Sequence, residues 1–303
     1  MSHFVFALTN PEAEFLLKKE ISYYGPEFKL SYSRPGFYTF KSWDDIPFRP
    51  KLARVIGTCH GKKTLEELKN LPKAWVWKRN PLDQIPSALK ELSDKSLFRI
   101  GEMVTLIMMV EEDEFWLGEY KLESHHFQTP GEESSIEQRE VPSRAYYKMA
   151  EAYEAFDLPF DNQEKVLELG SAPGGASLFL LEQDMRVYGV DTAEMDPKIT
   201  KQYNFKSIKK PFEIIKAEDI PADIDWIVCD INLPPSVVMK EIDRFLTFLE
   251  PRGLILTLKL NQDRYVSSMR PWAEQFKKRG FKRVELKYLP SHRQEICLLA
   301  MHD

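Results

Sequence analysis

The chain has 303 residues, a net charge of −5 and 43% hydrophobic residues, which suits two domains with a packed core in each. No apolar run approaches the roughly 18 residues of a membrane span, and MSHFVFALTNPEAEF reaches an acid at Glu12 without a basic n-region, which argues against a signal peptide. The three cysteines, Cys59, Cys229 and Cys297, are scattered, so neither a disulfide framework nor a metal site is expected, and a reduced cytoplasmic setting is the simplest expectation.

HFVFALT (3–9) predicts a strand and PEAEFLLKKEISYYG (11–25) a helix, with Leu16, Leu17 and Ile21 at helical spacing and Gly25 as the stop. KLSYS and GFYTFKS are two short strands around Arg34-Pro35-Gly36, and LARVIGTCHG (52–61) is another. TLEELKNL and PSALKELSD predict helices. VTLIMMV (104–110) and EFWLGEYKL (114–122) flank a polar turn and read as a hairpin. Residues 1–130 are therefore expected to form a small α+β domain. The polar, acidic stretch 123–140, with the His125-His126 pair, reads as surface, and 131–140 as an acidic linker.

From 141 to 303 strands alternate with helices. The strands are VLELG (166–170), RVYGVD (186–191), FEIIKAED (212–219), DWIVCD (225–230) and GLILTLKL (253–260). The helices include SLFLLEQ and VVMKEIDRFLTFL, and RVELKYLP and EICLLAMH close the chain as an antiparallel edge hairpin. Apolar strands alternating with helices imply an α/β, Rossmann-like domain with a mostly parallel sheet.

Glu168-Leu-Gly170-Ser171-Ala172-Pro173-Gly174-Gly175-Ala176 lies where the first of these strands gives way to a helix. Gly170 allows a tight turn, and Gly174 and Gly175 allow a ligand close to the backbone. The spacing is neither GxGxxG nor a P-loop. Asp191 ends the second strand, where an acid accepts from ribose hydroxyls, and Asp219 ends the third, where it would accept from an adenine amino group. Asp230 ends the fourth. Acids and a glycine-rich turn suit a nucleoside without phosphates, and S-adenosylmethionine fits that description.

Four polar residues complete the pattern: Lys148 in SRAYYKM, Asp230 in VCDIN, Lys259 in LTLKL and Glu295 in HRQEICLL. Singly, each has a plain structural explanation, such as a snorkelling lysine, a turn aspartate or an exposed glutamate. Together with LELGSAPGG they resemble the FtsJ-type family of ribose 2′-O-methyltransferases, and within it the RlmM-type enzymes of large-subunit ribosomal RNA. The similar segment is 141–303, opening with Pro142-Ser143-Arg144 and running through Lys148 to Glu154-Ala155-Phe156. The resemblance implies that Lys148, Asp230, Lys259 and Glu295 form a catalytic tetrad. Lys259, with a pKa lowered by burial and a neighbouring cation, would be the base for a ribose hydroxyl. Three details depart from the family pattern: Ala176 where an aromatic is usual, Glu168 where Asp is usual, and Ile-Asn-Leu-Pro-Pro after Asp230.

FALTNPEAEFLLKKEI is similar to the opening of the RlmM-type RNA-binding region, which implies a shortened THUMP-like domain. Residues 51–100 hold 11 Lys/Arg against 5 Asp/Glu, and 101–140 hold 2 against 11. Lys62, Lys63, Lys73, Lys78 and Arg79, interleaved with Trp75 and Trp77, are the candidate RNA contacts, joined by Arg144. The tryptophans either stack on bases or fill a core. The basic tract 198–210 is a further candidate. A non-catalytic RNA-binding or assembly module, and a methyltransferase of proteins or small molecules, stand as alternatives.

Overall fold

The computed structural model describes residues 2–25, 28–43, 49–90, 92, 99–122 and 136–302. The His125-His126 pair, residues 131–135 of the expected linker and the end of PSALKELSD lie outside them. The chain divides into two compact units, residues 1–135 and 136–303.

The first unit is a seven-stranded sheet of β1 (Ser2–Leu8), β2 (Lys29–Arg34), β3 (Phe37–Trp43), β4 (Val55–Lys63), β5 (Trp75–Lys78), β6 (Met103–Glu111) and β7 (Glu114–Lys121). Its order is β2-β3-β1-β4-β7-β6-β5, antiparallel except for β5 beside β6. The helix α1 (Glu14–Ser22) buries Leu16, Leu17 and Ile21, the residues its spacing singled out. Two one-turn helices follow, α2 (Leu65–Leu68) and α3 (Ser87–Lys90). The sheet curls: Phe37 of β3 meets Trp77 of β5 at 6.3 Å, although the two strands stand near opposite ends of the order.

That curl corrects one expectation. Side chains alternate across a strand, so Trp75 and Trp77 share a face and join Phe6, Phe37, Leu106 and Met108 in one core. Val76 points the other way, into a second core with Leu68, Ile107 and Met109. At 5% and 8% exposure the two tryptophans are core residues with no face to offer a base.

The second unit begins with α4 (Ala145–Phe156) and continues β8 (Lys165–Leu169), α5 (Gly175–Glu182), β9 (Arg186–Val190), α6 (Pro197–Thr200), β10 (Phe205–Ile208), β11 (Trp226–Cys229), α7 (Pro235–Phe245), β12 (Gly253–Lys259), α8 (Arg264–Lys278), β13 (Arg283–Lys287) and β14 (Glu295–Met301). The sheet order is β10-β9-β8-β11-β12-β14-β13. Neighbouring strands from β10 to β12 are parallel, and β14 runs antiparallel between β12 and β13. This is the Rossmann-like arrangement expected, with one strand misplaced. The third strand is Phe205–Ile208, not 212–219. Residues 212–219 form two short helical turns, Phe212–Ile214 and Ala217–Asp219. As an edge strand, β10 exposes Lys206 and Ser207 and buries only Ile208. It therefore lacks an apolar signal, and lysine on an edge strand guards against further pairing.

The order reverses at β8. The chain leaves β8 towards β9 on one side and later returns to β11 on the other. The loops after β8 and β11 thus flank the crevice at the carboxyl ends of the strands, where open α/β sheets bind ligands.

Candidate active site

The four polar residues come from four different elements and meet. Lys148 projects from α4, Asp230 directly follows β11, Lys259 ends β12 and Glu295 begins β14. Lys259 and Glu295 are direct partners in the β12–β14 register. Lys148 Nζ lies 3.1 Å from Asp230 Oδ2 and 2.7 Å from Glu295 Oε1. Lys259 Nζ lies 3.1 Å from Asp230 Oδ1 and 2.5 Å from Glu295 Oε2. Each lysine thus bridges both acids in a closed ring of alternating charge. The four side chains are 9–15% exposed, enclosed yet reachable.

At Glu295 and Lys259 burial and charge oppose each other, and charge decides the outcome. Burial alone would raise the Glu295 carboxyl, but Lys148 and Lys259 on either side hold it at about 2. Burial alone would lower the Lys259 ammonium. Asp230 and Glu295 outweigh it, and the net shift is upward. The expectation of a lowered Lys259 pKa is therefore corrected: two carboxylates at contact distance outweigh desolvation.

Sequence reasoning passed over the groups around the ring. Burial pushes the His292 imidazole down to about 4, so it is neutral near pH 7. The Cys229 thiol, just before Asp230, is pushed up to about 12 by burial and stays protonated. Glu151 of α4, one turn beyond Lys148, accepts from the Ser291 backbone N–H at 2.9 Å and hydroxyl at 2.6 Å. Its (i, i+3) spacing from Lys148 was the available signal.

Beside the ring, the glycine-rich segment adopts the tight turn expected. Gly170 has φ +79°, and a Cβ there would come 2.5 Å from Ile231 Cγ1 in the loop after β11. Gly175 has a different role from the one expected. A Cβ there would meet Ser143 Oγ at 2.2 Å and Tyr146 N at 2.9 Å, so its bare Cα lets the start of α5 pack on the start of α4. Glu168 already has a partner inside the fold. It is buried, accepts from Ser177 Oγ at 2.5 Å, and is pushed up to about 8 by burial.

Asp191 stands at the end of β9, as expected, and accepts from the backbone N–H groups of Ala172 at 3.0 Å and Ala193 at 2.9 Å. A carboxylate offers about four acceptor directions, so it both shapes the glycine-rich loop and keeps capacity for a ligand. Ser171 is buried, its hydroxyl 3.5 Å from Met195 Sδ. Asp219 lies in a helical turn and not at a strand end. It pairs with Lys210 and accepts from the Lys216 backbone N–H at 3.0 Å.

The candidate RNA cations are engaged internally. Lys62 meets Glu114 at 3.0 Å, Lys63 meets Glu67 at 3.2 Å, Lys73 meets Glu102 at 3.5 Å and Arg79 meets Glu111 at 2.8 Å. Lys78 donates to the carbonyls of Pro81 and Asp83. The basic stretch read along the chain is thus matched in space by the acidic one. In 198–210, Lys209 and Lys210 likewise pair with Glu194 and Asp219. Arg144, exposed near the ring, spends one donor on the Ser291 carbonyl at 2.8 Å. No helix among the described residues is long and apolar enough to cross a membrane. No cluster of metal-ligating side chains occurs among them either.

Comparison with known proteins agrees with this geometry. An uncharacterized protein of Methanocaldococcus jannaschii is 36% identical over 119 residues, covering 39% of this chain and 33% of its own. The ribosomal RNA large subunit methyltransferase M of Chromohalobacter salexigens is 27% identical over 176 residues, covering 53% of this chain and 48% of its own. The chain therefore spans less than half the length of these relatives. Among solved structures, Aeropyrum pernix fibrillarin aligns over 68% of this chain and 85% of its own at 15% identity, with a TM-score of 0.37, too slight a likeness to argue from. Residues 141–269 match the family model described as FtsJ-like methyltransferase, and they include Lys148, the glycine-rich turn, Asp230 and Lys259. By that match and those relatives, residues 141–269 of the second unit are similar to the FtsJ-like methyltransferase family.

Proposed function

We propose that the protein transfers a methyl group from S-adenosylmethionine to a ribose 2′-hydroxyl of RNA, and that the RNA is large-subunit ribosomal RNA. The observation that carries this is the closed Lys148–Asp230–Lys259–Glu295 ring beside the glycine-rich turn at the carboxyl edge of the sheet. The crevice fits the methyl donor by its chemistry. Asp191 and Asp230 border it, Gly170 keeps its wall thin, and carboxylates suit a nucleoside cation that carries no phosphate. Asp191 would hold the ribose of the donor, and Asp230 would face its positive charge. When bound, S-adenosylmethionine supplies an electrophilic methyl group.

The chain's own task is the proton. A hydroxyl entering the ring displaces one of the carboxylate contacts that hold the Lys259 pKa up. Burial then favours the neutral amine; the ammonium proton passes to solvent, which the 15% exposure of Lys259 admits, and the freed Nζ takes the hydroxyl proton. Lys148 stays on the two acids and holds Glu295 ionised.

For the first unit, a shortened THUMP-like, RNA-presenting role rests on the likeness of its opening strand and helix, and the segment 62–79 lends it no support. The paired cations and the net charge of −5 favour one rival, methylation of a protein or small molecule. The deciding experiment incubates the full chain with tritiated S-adenosylmethionine and large-subunit ribosomal RNA transcribed in vitro. Ribose methylation is then mapped in total RNA from cells with and without the protein. Label in RNA at a 2′-oxygen supports the function, and label confined to protein or small molecules refutes it. A cytoplasmic setting is proposed with it, in keeping with three free, buried cysteines.

A further inference from the structure

Helix α4 places Arg144, Lys148 and Glu151 on one face, four and three residues apart. Lys148 belongs to the ring. The residues either side of it both grip Ser291, in the connection that leads into β14. Arg144 donates to the Ser291 carbonyl at 2.8 Å. Glu151, only 1% exposed, takes the Ser291 N–H on Oε2 at 2.9 Å and the hydroxyl on Oε1 at 2.6 Å. All three polar groups of Ser291 are therefore held by the helix face that carries Lys148. The Tyr288 hydroxyl ties the same connection from within, shared between the His292 and Arg293 carbonyls at 2.9 Å each. Four residues after Ser291 stands Glu295, 2.7 Å from Lys148 and 2.5 Å from Lys259.

A carboxylate is a costly group to bury for the sake of a turn, which apolar packing would hold as well. What it adds is direction: two bonds to one residue fix where the next strand starts. We infer that Glu151 is a positioning residue for the ring, acting through Ser291 to set Glu295 against Lys148 and Lys259. This rests on the methyl-transfer function proposed above.

The test uses the full chain as wild type, Glu151→Ala, Glu151→Gln and Ser291→Ala. Methyl transfer to in-vitro-transcribed large-subunit ribosomal RNA gives kcat and KM, and calorimetry gives S-adenosylhomocysteine affinity. Glu151→Ala should lower kcat about 10–100-fold, the usual cost of a small misplacement, with KM and S-adenosylhomocysteine affinity unchanged. Glu151→Gln still accepts the Ser291 N–H and can donate to its hydroxyl, so it should recover most of the loss. Ser291→Ala should fall between. Wild-type kcat in Glu151→Ala overturns the inference. So does a parallel loss of kcat, KM and cofactor affinity, or lower thermal stability with kcat per folded molecule intact. If Glu151→Ala does not fold, Ser291→Ala, which keeps the N–H bond, decides by the same criteria. A wild-type chain that methylates no RNA overturns the proposed function and this inference together, whereas an active wild type with an indifferent Glu151→Ala overturns this inference alone.

Discussion

Replacing Lys259 by Met keeps most of the side-chain volume and deletes one charge of the ring. Asp230 loses a partner at 3.1 Å and Glu295 one at 2.5 Å. Neither is orphaned, because Lys148 stays 3.1 Å from the first and 2.7 Å from the second. The stability cost should therefore be about half that of a fully broken buried pair, about 2 kcal/mol. In a unit of this size that is a Tm decrease of about 4–8 °C. The chemical cost should be far larger, since removing a general base costs about 10²–10⁴-fold in turnover. Tritiated methyl transfer well below the Tm separates the two, and S-adenosylhomocysteine binding should survive. Lys259→Arg should be equally inactive, because a guanidinium does not deprotonate in a protein. A Met or Arg variant that keeps more than about a tenth of wild-type turnover refutes the base assignment.

Asp191→Ala should weaken S-adenosylhomocysteine binding about 10–100-fold in calorimetry, through loss of a charged acceptor and of its hold on Ala172. Gly175→Ala should destabilise the second unit by about 1–3 kcal/mol in urea unfolding, because its Cβ overlaps Ser143 Oγ. Trp77→Ala should cost the first unit about 3–5 kcal/mol, and RNA affinity that falls in a fully folded variant would count against its core role. The Glu168 carboxyl, raised in the folded state to about 8, favours the protonated fold. Its stabilising contribution is complete below the unfolded pKa near 4.5 and is lost as pH rises through 8. Glu20 in the first unit is also raised by burial, to about 7. The informative quantity is therefore the Tm of wild type minus that of Glu168→Gln, which should fall between pH 5 and 8, and a flat difference would refute the assignment.

How much of this was legible in the sequence depends on where each signal is stored. The strands β8, β11 and β12 are buried on both faces and β9 mainly on one; all four read as apolar runs, so the crevice and three ring residues could be placed from motif order. The strand β14, read as one arm of the closing hairpin with β13, was also visible as an apolar run, and Glu295 came with it. The strand β10 was missed because its exposed lysines carry an edge strand's signature, while Phe212 and Ile215 of the following turns supplied a misleading apolar pattern. The sign of the Lys259 shift was missed for another reason. It depends on two carboxylates contributed by β11 and β14 at contact distance, which no local window contains. Pairing between the basic stretch 51–100 and the acidic one after it was equally hidden, since Lys62–Glu114 and Lys73–Glu102 form only once β4 has paired with β7 and β5 with β6.

The last-numbered strand, β14, is an interior strand. It is bonded through seven residues to β12 and through five to β13, and it delivers Glu295. Lys148 and Asp230 are 82 residues apart in sequence, and the Arg144–Ser291 clamp spans 147. Contacts of such separation form late, because the entropy of closing long loops must be met before they gain anything. The ring therefore comes into being only when the second unit has finished folding around its final strand. Regain of methyl transfer during refolding should follow the slowest structural phase, which makes turnover a reporter of completed folding.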